Sequence, residues 1–258
     1  MKPAEDKDYV QSLERGLSVI LAFSDHHPKL SLAEIANLTG LSRPTVRRIV
    51  LTLERLGYMT AVGRQYSLTP HVLALGNAYL SSLNLTEVAQ PFMEEVTRVT
   101  GHTCSLATLD HEDAVFIARV PARQVMRMTL TTGTRLPAYA TSMGRVLLAN
   151  LRDTEIDAFL QKASMPQLTA RTITDPDRLR EVLLDVRERG WALVDQEFEE
   201  GVRSFSAPIR EAAGRVIATL SMSVPARSVS LESINADLLP VVREAAHEIS
   251  EQLGAGYH

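Results

Sequence analysis

Residues 32–57 read LAEIANLTGLSRPTVRRIVLTLERLG, and this stretch decides the fold of the N-terminal part of the chain. Ser31, directly before it, and Glu34 have the spacing of a capping box, in which each side chain bonds a free backbone N–H at a helix start. This spacing predicts a short helix over Leu32–Leu38. Gly40 then supplies the residue type that ends helices in a tight turn.

A second helix is predicted directly after this turn. Ser42 has the residue type of an N-cap, and Pro44 stands in the first turn, where a missing N–H costs little. Apolar residues continue at helical spacing to about Leu56. Two short helices joined by a glycine turn are typical of a helix-turn-helix, whose second helix enters the major groove of DNA.

The flanking segments extend this motif to a winged helix-turn-helix over residues 1–70. Apolar residues from Leu13 to Ala22 recur at helical spacing and predict a first helix, which ends before Pro28. Tyr58–Leu68 predicts two short strands around a glycine turn. Helical spacing from Pro70 to Leu85 then predicts a linker helix, which we assign to residues 71–88.

The third helix has one apolar face and one basic end. The apolar residues expected to pack on the first two helices are Val46, Ile49, Val50, Leu53 and Leu56. Five arginines against one acid lie between residues 43 and 64, although the formal net charge of the chain is −4. The predicted DNA-binding residues are Ser42, Arg43, Thr45, Arg47, Arg48 and Arg64. The alternative is that these arginines form only a solvated helix face.

Bulk properties limit the class of protein. A chain of 258 residues with 45% hydrophobic residues favours two packed domains. Charges of both signs at the N-terminus, and no long uncharged apolar stretch, predict a cytoplasmic protein without a membrane partner. Cys104 is the only cysteine, so an intrachain disulfide and a thiolate zinc cage within one chain are excluded. We expect no cofactor and no metal.

The rest of the chain alternates short strands and helices, after a helix near Pro91–Thr100. We predict a mostly antiparallel six-stranded sheet with helices packed on it, over residues 89–258, and an α+β class for the whole chain. The predicted strands are Ser105–Leu109, Ala114–Val120, Val125–Thr131, Trp191–Asp195, Val202–Ile209 and Val216–Val224. The predicted helices are Ser142–Leu151, Asp153–Leu160, Asp177–Glu188 and Leu231–Leu253.

Hydroxyl groups alternate with apolar residues along the last predicted strand. Thr219, Ser221 and Ser223 share one face of it, and Ser204 and Ser206 repeat the pattern in the preceding strand. These side chains could offer hydroxyls to a polar ligand. A solvent-facing sheet would show the same alternation, so the pattern leaves both interpretations open.

Four runs of residues resemble one family. The runs AEIA at 33–36, GLSRPTVRRI at 40–49, ATSMGRVLLA at 140–149 and DQEFEEGVRSFSAPI at 195–209 are similar to those of IclR-type transcriptional regulators. The resemblance covers nearly the whole chain. The last run is most similar to the aromatic-catabolism subgroup of PcaR, PcaU and PobR.

The resemblance implies a homodimer, or a dimer of dimers, on pseudo-palindromic operator DNA. It also implies a GAF-like effector domain that binds a small carboxylate between its sheet and a loop over residues 133–144. The implied effector-binding residues are Leu136, Ser142, Met143, Asp195, Ser204, Ser221 and Ser223. Many relatives have a cysteine in place of Ser204, and the loop after Asp195 is one residue shorter than in glyoxylate-type members. This departure favours a larger acid, either an aromatic acid or one like 3-oxoadipate, and control of the protocatechuate/3-oxoadipate pathway.

An anionic ligand needs hydrogen-bond donors. The serine hydroxyls, the amides at the start of the Ser142 helix, and Arg119, Arg145 or Arg203 could supply them. Asp195 does not suit an anion, so it either bonds a ligand hydroxyl or braces its loop. His102 and Tyr139 are further candidates for the cavity wall, although such residues are more often structural.

Two other classes of protein compete with this interpretation. An enzyme could use Cys104 with His102, or a serine with Asp195, as nucleophile and base. The sequence has no nucleophile elbow, metal-ligand cluster, phosphate loop or dinucleotide fingerprint, so we expect no enzyme. A winged-helix protein whose C-terminal domain is purely structural is the other alternative.

Overall fold

The computed structural model describes residues 9–24, 26–75, 85–122 and 130–254. Contacts between Cα atoms divide the chain into two compact units, residues 1–82 and 83–258. Within the described ranges, every helix is too short or too polar to cross a lipid bilayer.

The N-terminal unit is a winged helix-turn-helix, as predicted. Its three helices are α1 (Gln11–Leu21), α2 (Leu32–Thr39) and α3 (Arg43–Arg55). The wing is an antiparallel hairpin of β1 (Met59–Val62) and β2 (Gln65–Leu68), to which Leu30 adds an isolated bridge at Tyr66. A 3₁₀ turn, Pro70–Val72, leads into helical residues 73–75, and the rest of the predicted linker helix up to residue 84 lies outside the described residues.

Local hydrogen bonds confirm the predicted helix starts. The Ser31 N–H donates to Glu34 Oε2 at 2.7 Å, and the Glu34 N–H donates to Ser31 Oγ at 3.4 Å, which completes the capping box. Gly40 ends α2 in the left-handed conformation, at a φ of 69°. The Ser42 hydroxyl accepts from the Thr45 N–H and begins α3.

The core of this unit lies between the three helices and the wing. Its fully buried apolar side chains include Val19 of α1, Ile35 of α2, and Val46 and Val50 of α3. The prediction that Leu56 packs in this core was wrong: its side chain is 58% exposed. Because α3 ends at Arg55, Leu56 lies at the C-cap and no longer follows the buried face.

The C-terminal unit contains an antiparallel sheet in the order β5-β4-β3-β8-β7-β6. Its strands are β3 (Thr103–Asp110), β4 (Asp113–Val120), β5 (Arg135–Pro137), β6 (Ala192–Asp195), β7 (Val202–Arg210) and β8 (Val216–Pro225). Its helices are α4 (Leu85–Thr100), α5 (Ser142–Ala149), α6 (Asp153–Lys162), α7 (Pro176–Arg189) and α8 (Leu239–Gln252). Helices α4, α5 and α8 pack against the sheet.

Two predicted elements differ from the structure. One strand of the sheet, Arg135–Pro137, was not predicted, because three residues are too few to show an alternating pattern. The predicted strand Val125–Thr131 lies outside the described residues up to residue 129. Residues 130 and 131 belong to no strand. The single helix predicted over Leu231–Leu253 is broken by a π-helical segment, Ile234–Leu238, before α8 begins. Pro240 has no N–H, so the regular i to i−4 ladder is interrupted there.

Helix α5 is the central packing element of this unit, since all eight of its residues are buried. At Gly144 it crosses the 3₁₀ turn Ala138–Ala140 so closely that an added Cβ would lie 2.2 Å from the Ala138 Cα. This close crossing requires glycine and fixes where the first turn of α5 lies on the sheet.

We therefore expect Gly144→Ala to destabilise the C-terminal unit by about 3 kcal/mol, because a backbone atom and not a flexible side chain blocks the new methyl group. Trp191 is the only tryptophan of the chain and lies in this unit, so its fluorescence during urea unfolding measures the effect. Gly16→Ala in α1 is the control, because no atom lies within 4 Å of its new methyl group. Equal Trp191 midpoints for the two variants would contradict the packing argument.

Candidate functional site

The first candidate site is the basic end of α3. Arg43, Arg47 and Arg48 are exposed on this helix, and Arg64 is exposed in the turn of the wing. None of these four side chains forms an ion pair or hydrogen bond with a described residue, so their guanidinium groups can reach an external partner. Ser42 and Thr45, whose hydroxyls lie 2.9 Å apart, occupy the first turn of the same helix.

The opposite face of α3 holds the helix in place. Val46 and Val50 are fully buried against α1 and α2, so the helix cannot rotate its arginines inward without exposing its apolar side. A basic, exposed helix start on a rigid three-helix core has the geometry with which helix-turn-helix proteins contact base edges and phosphates.

The second candidate site is a cavity of about 730 Å³ in the C-terminal unit. It lies within the size range of small-molecule sites. Six of the seven predicted effector-binding residues line it: Leu136, Ser142, Met143, Ser204, Ser221 and Ser223. They come from β5, the start of α5, and strands β7 and β8, and the fold brings them together around one space.

Hydroxyl groups form two rows across three strands at the floor of this cavity. One row pairs Thr103 with Ser223 and Ser223 with Ser204, and the second pairs Ser105 with Ser221 and Ser221 with Ser206. Directly paired residues of antiparallel strands point to the same face. The alternating pattern left open whether these hydroxyls face a ligand or bulk solvent. In the structure, this face of the sheet packs against α5 and lines the cavity, so it is not a solvent-facing surface.

The hydroxyls of the two rows differ in their bonding. Ser206 is fully buried, and its hydroxyl lies 2.7 Å from that of Ser142, so this pair ties α5 to the sheet. The hydroxyls of Ser105, Ser204 and Ser223 bond no described residue, and all three residues line the cavity. They are therefore available to a polar ligand.

The other end of the cavity is apolar. Phe116, Leu136, Met143 and Phe198 line it and belong to one hydrophobic cluster. The cavity thus offers apolar contacts at one side and hydroxyls at another, an arrangement that suits a ligand with an apolar body and polar substituents.

Asp195 is the seventh predicted residue, and it lies outside the lining of the cavity. Its carboxylate accepts a 2.6 Å hydrogen bond from Arg203 Nε and also pairs with Arg171. Burial, the largest single influence, opposes ionisation of Asp195, but hydrogen bonds from Arg203 and Gln196 and the charges of both arginines outweigh it, so the pKa lies below its usual value. These contacts are those of a loop brace, one of the two roles that the sequence left open.

The arginines considered as ligand donors have different surroundings. Arg203 is occupied by Asp195 and by two backbone carbonyls. Arg145 donates to both carboxylate oxygens of Glu197 at 2.7 and 2.6 Å and to the Tyr139 carbonyl at 2.9 Å, with its side chain only 3% exposed. Both are therefore committed to structure. Arg119, in contrast, is half-buried and lines the cavity.

Sequence reasoning missed several residues of the cavity wall. Thr103 and Ser105 alternate on β3 as the serines do on β8, and this signal could have identified them. Gln196 could not be found locally, because its place depends on a left-handed backbone, at a φ of 64°, held by distant partners. Its carbonyl accepts from the Thr169 hydroxyl at 2.7 Å, and its side-chain oxygen accepts from the Gly201 N–H at 3.0 Å.

Cys104, considered for catalysis, and His102 and Tyr139, considered for the cavity wall, have other surroundings. Cys104 is fully buried, and burial raises the pKa of its thiol to about 12, so almost none is ionised at neutral pH. The Tyr139 hydroxyl donates to the Pro166 carbonyl at 2.6 Å. His102 and Tyr139 lie outside the cavity lining. Among the described residues, no group of His, Cys, Asp and Glu has the arrangement to hold a metal ion.

Two family models match the chain. The model of the IclR helix-turn-helix domain matches residues 12–63, and the model of the bacterial transcriptional regulator IclR C-terminal domain matches residues 77–251. The second match alone spans more than half of the chain.

Relatives match over nearly the full length. The Pca regulon regulatory protein of Pseudomonas putida is 41% identical over 249 residues, which cover 96% of this chain and 86% of that protein. The p-hydroxybenzoate hydroxylase transcriptional activator of Acinetobacter baylyi is 34% identical and is covered to 92%, against 94% of this chain. The crystal structure of an IclR homologue from Microbacterium hydrocarbonoxydans, complexed with 4-hydroxybenzoate, has a TM-score of 0.85 and 26% identity, with 95% of this chain and 100% of that chain covered.

Proposed function

Since the chain belongs to the IclR family of bacterial transcriptional regulators, we propose that it binds operator DNA as a homodimer and responds to a small carboxylic acid in the cavity. Residues 1–70 form the DNA-binding domain, and residues 71–88 form the helix that links it to the effector domain. Residues 89–258 bind the effector and contribute to oligomerisation. The observation that carries this proposal is the joint presence of exposed, unpaired arginines on α3 and a cavity lined by free hydroxyls.

The six proposed DNA-binding residues contact different parts of the DNA. Arg43 and Arg47 reach base edges or nearby phosphates from the first turns of α3, and Ser42 and Thr45 bond phosphate oxygens. Arg48 and Arg64 bind the phosphate backbone of the DNA. The exposure of all four arginines supports this arrangement.

Arg43→Ala should weaken operator binding by about 5- to 100-fold, since a good bidentate base contact is worth roughly 1–3 kcal/mol. Gel-shift titration on an operator selected from random DNA measures this. Arg55→Ala is the matched control, because Arg55 is exposed on the last turn of the same helix, away from its DNA-facing start. Unchanged affinity of the Arg43 variant would refute the assignment.

Helix α1 supplies the surface for the dimer. A single short recognition helix buries too little area for a specific complex, so two copies are needed. Four apolar side chains at spacings of three, four and four residues are exposed along α1 and its N-cap, namely Val10, Leu13, Leu17 and Leu21, at 59%, 61%, 47% and 80%. A second copy of the same surface is self-complementary and removes these side chains from water. Pairing of two such dimers gives the dimer of dimers.

Leu17→Glu should therefore shift the protein from dimer to monomer, because it places a charge in the middle of these apolar side chains. Sedimentation velocity across a concentration series measures this shift. Val99→Glu is the control, since Val99 is 56% exposed on α4 of the other unit and should leave the dimer intact. A Leu17 variant that sediments like the native chain would rule out α1 as the interface.

The effector is an aromatic acid or an acid like 3-oxoadipate, and the regulated genes serve aromatic-compound catabolism. The likeness to a Pca regulon regulator and to an activator of p-hydroxybenzoate hydroxylase supports this class. So does the solved homologue complexed with 4-hydroxybenzoate. The apolar end of the cavity and its hydroxyl floor suit such a ligand.

Calorimetry with protocatechuate, 4-hydroxybenzoate and 3-oxoadipate should show binding of at least one acid, and that acid should change operator affinity or operator bending. The ligand orders the loop from Gly133 to Gly144 and shifts the linker helix, which changes the spacing of the two recognition helices. Silence with all three acids would favour a regulator whose C-terminal unit is purely structural. Turnover of an acid by the purified protein would favour an enzyme.

A further inference from the structure

Arg119 is a cation in the cavity without an acidic partner in the described part of the chain. The residue is half-buried and lines the cavity, and its guanidinium carbon lies 5.8 Å from the centroid of the Phe116 ring. Burial lowers the pKa of this guanidinium, and no acidic side chain of the described residues pairs with it. A bound anion would supply the missing partner.

The strand register places a hydroxyl beside this cation. Arg119 of β4 pairs directly with Ser105 of β3, and Ser105 pairs with Ser221 of β8. The three side chains share one face of the sheet. Since the Ser105 hydroxyl bonds no described residue, Arg119 and Ser105 together offer charge-assisted and neutral donors to the two oxygens of one carboxylate.

The charge distribution along the sheet favours the same end. Glu199 and Glu200 also line the cavity, but they follow β6, at the opposite edge of the sheet. In the observed order, β4 lies four strands from β6, or about 19 Å at about 4.8 Å per strand. A carboxylate near the two glutamates would meet like charge, whereas one near Arg119 meets opposite charge.

We propose that Arg119, with Ser105, is the carboxylate anchor of the cavity and makes it selective for acids over their neutral amides. This proposal rests on the proposed function. The ligand's carboxylate lies at the β4 end, its apolar body lies against Phe116 and Met143, and its hydroxyls point toward Ser204 and Ser223. The effector-binding residues implied by the resemblance include neither Arg119 nor Ser105. The proposal therefore adds a cation and a hydroxyl, on β4 and β3, to those residues.

The test compares acids with their carboxamides, which keep the shape and lose the charge. Calorimetry measures 4-hydroxybenzoate against 4-hydroxybenzamide, and protocatechuate against 3,4-dihydroxybenzamide. Arg119→Gln should weaken acid binding by about 10- to 100-fold, the range of a charge-assisted hydrogen bond, and change amide binding by less than about threefold. The acid-to-amide preference should therefore collapse in this variant.

Arg243→Gln is the matched control, because Arg243 is exposed on α8 and lies outside the cavity lining, so this variant should keep the native preference. Arg119→Lys keeps the charge and should retain a preference for acids at reduced affinity, which separates loss of charge from loss of folding. If the native protein binds an acid and Arg119→Gln keeps its full preference, the anchor is refuted while the proposed function stands. If the native protein binds neither any of the four aromatic compounds nor 3-oxoadipate, both are overturned.

Discussion

The bidentate pair between Arg145 and Glu197 is the interaction on which the cavity depends. It joins α5 to the loop after β6, and both elements contribute residues to the cavity lining. Glu197 also accepts from the Ile173 N–H, and its carbonyl accepts from the Thr172 hydroxyl, so a third segment is fixed by the same residue. Removal of one partner would leave a buried charge without compensation, at a cost of about 3–5 kcal/mol. The pair thus fixes the position of these walls, although neither residue lies in the cavity lining.

The floor of the cavity is held in place by the hydrogen bonds of the sheet and does not depend on this ion pair. The hydroxyl rows lie on the central strands β3, β8 and β7, which are hydrogen-bonded on both sides. Their positions are therefore set by backbone register, and a ligand meets hydroxyls already placed before it binds. Ser142 belongs to both parts, since it lies in the cavity lining and bonds Ser206 on the sheet. One hydrogen bond therefore joins the lining of the cavity at α5 to the sheet.

Local sequence patterns predicted the features that depend on residues close together along the chain. The capping box at Ser31 and the N-cap at Ser42 involve residues three apart, and the alternation along β8 is visible within one strand. Arg145 and Glu197 are 52 residues apart, and nothing local marks them as partners. Asp195 was therefore placed in the ligand set although its partners, Arg171 and Arg203, hold it as a brace. Strand β5 was missed because three residues are too few for any periodicity.

Both edges of the six-stranded sheet are very short. The edge strand β5 has three residues and ends at Pro137, which cannot donate to a neighbouring strand, and β6 at the other edge has four. A stray extended segment would find few backbone groups to pair with there, which limits edge-to-edge aggregation. The long central strands therefore stay shielded from such pairing.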